Sequence, residues 1–177
     1  MNWSELFIYN DTTGDLIWKP RQGAPKLASA FNKRFAGKVA GVMAYADNGD
    51  PRGIVIRVRM NGKKNDYYAH RIISEMFDGD IPEGIQIDHA DRNPFNNRRI
   101  NLRRATMTQN RHNSRMTSRN TSGLKGVAFD KHRGLWVAEI RAFGKRHRLG
   151  RFHTKGLAAV ARAKAAIRYH GEFARFR

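Results

Sequence analysis

An aspartate followed directly by a histidine, Asp88-His89, with asparagines at 101 and 110, forms a set of side chains able to hydrolyse a phosphodiester. That reaction needs an activated water, stabilised charge on the phosphate and help for the departing 3′ oxygen. A histidine of near-neutral pKa can take the water's proton. A hard divalent cation held by oxygen ligands serves the other two needs. His89 supplies the base, Asp88 a carboxylate and Asn110 an amide carbonyl oxygen. Adjacent strand residues point to opposite faces, so one member of the Asp-His pair can hold a metal while the other faces water. Asn101, 12 residues after His89, is spaced to pin the intervening loop through its amide. Taken singly each residue is ordinary, since asparagine in a loop is usually a turn former. His112 and Asn113 stand close enough to replace Asn110 as ligand if the register shifts, and His70 reads as a buried structural histidine.

These residues need elements to position them. Ile85-Gln86-Ile87-Asp88-His89 alternates as a strand, and the loop 90–97 follows it. Residues 101–105 read as a second short strand or turn, and Thr106-Met107-Thr108-Gln109 has capping-box spacing opening the helix that carries Asn110. Upstream, residues 6–18 predict a hairpin turning at Gly14, residues 53–70 a second hairpin turning at Asn61-Gly62, and residues 70–77 a short helix. Residues 20–52 read as irregular. The polar stretch 114–122 reads as a linker.

The run Ile87-Asp88-His89-Ala90-Asp91-Arg92-Asn93-Pro94-Phe95-Asn96-Asn97, then Asn101-Leu102-Arg103-Arg104-Ala105-Thr106 and Gln109-Asn110, resembles the HNH endonucleases of phages and mobile introns. The resemblance implies a ββα-metal (His-Me finger) core with His89 as general base. It also implies one metal ion on Asp88 and Asn110, and a loop ordered by Asn101. Asn110 stands where many of these enzymes have histidine, as in an H-N-N subgroup. A carboxylate and a neutral amide favour Mg²⁺, or Mn²⁺, over Zn²⁺, which prefers nitrogen and sulfur.

Charge is distributed unevenly. Residues 1–97 hold 13 Lys/Arg and 12 Asp/Glu, whereas 98–177 hold 21 Lys/Arg and only Asp130, Glu139 and Glu172. A segment this basic attracts polyanions, nucleic acid first. It predicts strands at 126–130, 135–143 and 146–152, then an alanine-rich helix capped by Thr154 and ended near Gly171. Residues 123–177 resemble the APETALA-type DNA-binding domain of plant ethylene-response factors. The residues that carry this are Gly123-Leu124-Lys125-Gly126-Val127, Trp136-Val137-Ala138-Glu139-Ile140-Arg141 and Leu149-Gly150-Arg151-Phe152. The resemblance implies a three-stranded antiparallel sheet backed by one helix and laid in the major groove. Lys125, Arg141, Arg146 and Arg148 are the candidate DNA contacts, and Trp136 is either a contact or a core residue. Two base-reading positions of that family are here Ala128 and Asp130, so its target site does not carry over.

The expectation is therefore an α+β chain of four parts: a β-rich region 1–69 with possible DNA contacts, a nuclease core 70–116, a linker 117–122 and a DNA-binding domain 123–177. The partner is double-stranded DNA, and the chain acts as a monomer or a homodimer. No run of apolar residues is long enough to predict a membrane span, and the absence of cysteine fits a reducing cytoplasm. The alternatives are a DNA-binding regulator with a vestigial nuclease centre and, more weakly, an RNA-binding protein.

Overall fold

The computed structural model describes every residue except Met1, Ala24, Asn61, Arg115, Thr117, Ser118, Arg119 and Arg177. The first half of the expected Asn61-Gly62 turn and half of the expected linker 117–122 thus lie outside the described residues. The chain divides into two compact units, Met1–Thr106 and Met107–Arg177.

In the first unit, β1 (Phe7–Asn10) and β2 (Asp15–Trp18) pair as an antiparallel hairpin, Phe7 opposite Trp18 and Asn10 opposite Asp15. A second sheet has the order β3-β4-β5, from β3 (Val42–Tyr45), β4 (Pro51–Met60) and β5 (Lys63–Tyr68). Alternation along β4 sends Ile56 and Val58 inward, where they meet Ile72 and Ile73 of α2 (Ala69–Asp78). Trp3, Phe7, Leu16 and Trp18 complete this core. The helix stops at Gly79, and Arg104 donates to the carbonyls of Asp78 and Gly79 at its end. β6 (Ile85–His89) and β7 (Leu102–Thr106) form the hairpin that carries the Asp-His pair.

The sequence reading of residues 20–52 as irregular is corrected by two elements, α1 (Pro25–Phe35) and β3. Pro25 occupies the first helical position, where its missing N–H costs nothing. No residue of α1 is buried. Phe31 and Phe35, one turn apart, lean on Trp18, at ring distances of 5.4 and 6.4 Å. Leu27, Phe31 and Phe35 do recur at i, i+4 and i+8, but the row is short and largely exposed, and it is easily lost among the Pro, Gly and Ala around it.

In the second unit, α3 (Met107–Asn113) precedes an antiparallel sheet of order β10-β9-β8, from β8 (Val127–Asp130), β9 (Leu135–Ala142) and β10 (Lys145–Phe152). The last helix, α4 (Lys155–His170), is capped by Thr154, whose hydroxyl accepts from the Leu157 N–H at 3.2 Å. Its alanines 158, 165 and 166 are buried against the sheet beside Val127, Ala138 and Ile140. Small side chains allow this close approach. Among the described residues no helix is long and apolar enough to cross a membrane.

Candidate active site

The β6–β7 register places Asp88 directly opposite Arg103. The guanidinium grips the carboxylate oxygen Oδ2 through Nε at 2.9 Å and a terminal nitrogen at 2.8 Å. Asp88 is only 6% exposed, so the pair sits where a lone carboxylate would be costly. His89, also buried, points Nε2 at the side-chain oxygen of Asn97, 3.0 Å away. Asn97 is itself buried, and its backbone carbonyl accepts from the Tyr9 hydroxyl.

The loop between the strands is held by its own amides. Asn101 accepts from the Asp91 N–H at 2.9 Å and donates both to the Asp91 carboxylate at 2.9 Å and to the Asn96 carbonyl at 2.7 Å. Burial pushes the Asp91 carboxyl up, but donors from Asn93, Asn96 and Asn101 prevail and leave it below the usual carboxylate range. The β1–β2 hairpin braces the same loop from outside. Gly14, at φ +81°, approaches so closely that a Cβ there would meet the Arg98 nitrogen at 2.5 Å. Any other residue at 14 would push the Asn97 backbone, and with it the partner of His89.

His70 heads α2, its ring stacked on Tyr68 and edge-on to His89 at 5.1 Å. Its Nδ1 is buried without a partner among the described residues. Burial, then the positive charges of His89 and Arg71, push this imidazole down to about 3. A histidine in an unfolded chain titrates near ~6.5, so the fold keeps His70 neutral and the unfolded chain binds the proton first. Its share of stability is whole above ~6.5 and is lost as the pH falls from there towards 3. Denaturant titrations at neutral pH and at about pH 5 should differ by about 2 kcal/mol from this residue, and His70→Gln should flatten the dependence.

Asn110 lies on α3, which belongs to the second unit, whereas Asp88, His89 and Asn101 belong to the first. His112 stacks on His170 at 3.6 Å and is pushed down to about 4 by burial, then by positive charge on His170, Lys125 and Arg162. Asn113 accepts from Arg175 at 2.9 Å. Lys125 donates to the carbonyls of His112 and Ser114 at 2.9 and 3.0 Å, which caps the end of α3.

On the sheet of the second unit, Arg146 faces Arg141 and Arg148 faces Glu139 across β9 and β10. Glu139 lies within 3.5 Å of Arg146 and 3.7 Å of Arg148. A bulge between Arg148 and Gly150 shifts the parity, so Arg151 pairs with Val137 and joins the arginine face, near Asp130 at 3.8 Å. Arg148 and Arg151 of this face, with Asp130 and Glu139, line a concavity of about 640 Å³. Trp136 is on the opposite, helix-facing side, packed with Val127, Ala138 and Ala158.

Sequence reasoning missed Arg103, Asn97 and Arg151. The first is visible only once the hairpin register sets it across from Asp88. Asn97 was one of a pair with Asn96, and only the turn geometry selects which meets His89. For Arg151 the signal was Gly150, a glycine inside a strand.

A family model described as HNH endonuclease matches residues 67–112. The chain is 39% identical over 109 residues to Protein 3.8 of Escherichia phage T7, a match covering 61% of this chain and 88% of that protein. It is 34% identical over 106 residues to an uncharacterized HNH endonuclease, L560, of Acanthamoeba polyphaga mimivirus, covering 59% of this chain and 54% of that protein. Among solved structures, that of DNA binding and cleavage by the HNH homing endonuclease I-HmuI aligns at 17% identity and a TM-score of 0.42, over 93% of this chain and 85% of that one. With the family model lying over the stretch from β5 to α3, and 88% of a phage relative matched at 39% identity, the chain belongs to the HNH endonuclease family.

Proposed function

We propose that the protein is a metal-dependent DNA endonuclease in which His89 activates water and Asp88 and Asn110 hold one divalent cation. The observation that carries this reading is the buried contact of His89 Nε2 with the Asn97 side-chain oxygen, one residue from a carboxylate fixed by Arg103. In the tautomer in which Nε2 donates to the Asn97 oxygen, Nδ1 is the basic ring nitrogen. Nδ1 takes the proton of the attacking water. Asn101 holds the loop so that Asn97 stays against the ring, and Arg103 orients the Asp88 carboxylate.

The donor set fits a hard cation. It offers a carboxylate and an amide oxygen, and the chain has no thiol. Among the described residues no group of three or more His, Cys, Asp or Glu gathers into a cage. A site completed by water and phosphate oxygens is the habit of Mg²⁺, with Mn²⁺ the substitute. When bound, the cation supplies positive charge to the phosphate and the departing oxygen.

The two-module division of labour is also proposed: a nuclease core over 70–116 on the N-terminal braces 1–69, and a DNA-reading module of APETALA type over 123–177. Its reading surface is Arg141, Arg146, Arg148 and the bulge-shifted Arg151. Lys125 instead serves the α3 carbonyls, and Trp136 lies on the helix side of the sheet. A single centre per chain nicks, and a homodimer or sequential nicking would break both strands. A phage-borne setting is favoured by the phage relative, and a homing-type role is proposed from the resemblance of the Asp88–Asn110 run alone.

Supercoiled plasmid or phage DNA should be relaxed or linearised with Mg²⁺ and left intact with a chelator. Retained DNA binding without metal-dependent cleavage would assign the chain to DNA-binding regulators instead.

A further inference from the structure

Away from the Asp-His pair, the first unit has a concavity of about 350 Å³ lined by Trp18, Arg21, Phe31, Phe35, Arg57, Arg59 and Lys64. Its walls come from α1 and from the β4–β5 hairpin. The β4–β5 register sets Arg57 opposite Asp66 and Arg59 opposite Lys64, and alternation puts all four on one face. Asp66 is fully committed to Arg57, with both oxygens engaged at 2.7 and 2.8 Å. Arg59 and Lys64 therefore face each other as like charges, an arrangement that destabilises a hairpin. Neither of them, nor Arg21, has a carboxylate partner among the described residues. The Arg21 guanidinium lies 3.8 Å over the Phe31 ring, and Asn32 pins the Arg21 backbone from α1 at 2.7 and 3.0 Å. Arg34 covers Phe35 at 5.2 Å.

The groove thus combines aromatic rings, guanidinium planes laid on them and cations in need of anions. Bases stack on aromatic and guanidinium faces, and phosphates neutralise the cations. The volume is at the lower end of ligand sites, roughly 300–1,000 Å³, and suits about one nucleotide. A duplex cannot enter, because its bases are stacked inside a convex cylinder. We propose that this groove holds an unpaired DNA strand, one nucleotide seated between α1 and the β4–β5 hairpin with its neighbouring phosphates on Arg21, Arg59 and Lys64. That the strand is DNA rests on the proposed function. The groove itself does not depend on cleavage.

The test uses the full chain in chelator, with a short single-stranded oligonucleotide carrying 5-iodouracil, photo-crosslinked and mapped by peptide mass spectrometry. Cross-links are expected in residues 18–35. Phe35→Ala, at a half-exposed position, should weaken affinity for that oligonucleotide about ten-fold, the size of one base-stacking contact. Arg59→Gln with Lys64→Gln should lower the salt-dependence slope by about 1.4, since each phosphate contact on a single strand contributes about 0.7. Cross-links confined to residues 107–177, an unchanged slope, or equal competition by duplex of the same sequence would overturn the proposal. A failure of metal-dependent cleavage leaves these outcomes untouched, so the two readings fail separately.

Discussion

Replacing His89 with alanine should lower the rate of metal-dependent DNA cleavage by about 10²–10⁴-fold while DNA affinity stays near that of the parent protein. The magnitude follows from the role. A positioned general base contributes about that factor, and the imidazole in ring contact with His89 among the described residues is not one that could replace it. His70 is the nearest other imidazole, but burial has taken it down to about 3, and its ring is edge-on to His89. Affinity is expected to survive because the basic residues are concentrated beyond position 97. His89 is buried, so the measurement pairs initial cleavage rates with a melting curve and a binding isotherm on the same preparation. Equal cleavage by variant and parent would end the assignment of His89 as base. Loss of binding together with cleavage would show that the residue supports the fold instead.

The sequence was most legible where chemistry and local structure coincide. The alternation through Asp88-His89, the hairpin at Gly14 and the helix ended at Gly79 were readable because period-two patterns and glycine turns are local signals. The strands of the basic segment were read within one residue at each end, and Thr154 caps α4 as its spacing suggested. Legibility failed where position depends on a partner distant in sequence. Within 25–35, Leu27, Phe31 and Phe35 recur one turn apart, but that α1 is held through Phe31 and Phe35 on Trp18 is set by a partner outside the segment. Lys125 shows in sequence only as a charge, and that its ammonium donates to carbonyls at the end of α3 comes from the fold. A lysine's charge is visible in sequence, but the helix end that claims it is not. The bulge at Gly150 reverses the side on which Arg151 points, and a one-residue shift of this kind inverts the facing of every side chain beyond it.

The second large effect expected is on Arg103. Arg103→Ala would leave the Asp88 carboxylate buried without its guanidinium. Removing one member of a buried pair costs about 3–5 kcal/mol, far more than the pair's net contribution. The side chains are 17% and 6% exposed, so water screens this pair little. The lower part of that range is expected, because the arginine retains some exposure. The strain should be local to the hairpin, so amide hydrogen exchange along β6 and β7 is the direct readout, with protection falling there first. Asp88→Asn combined with Arg103→Met removes both charges and keeps the bulk of each side chain. Its hairpin should regain most of the protection, since a neutral pair has no ion to desolvate. Mg²⁺ should restore protection to Arg103→Ala more than it adds to the parent, because a cation on Asp88 replaces the missing positive charge. Exchange rates unchanged by Arg103→Ala would mean that Asp88 is stabilised by other groups. The register that sets Arg103 across from Asp88 would then be a feature of the hairpin alone, and the carboxylate's orientation would have to come from elsewhere in the unit.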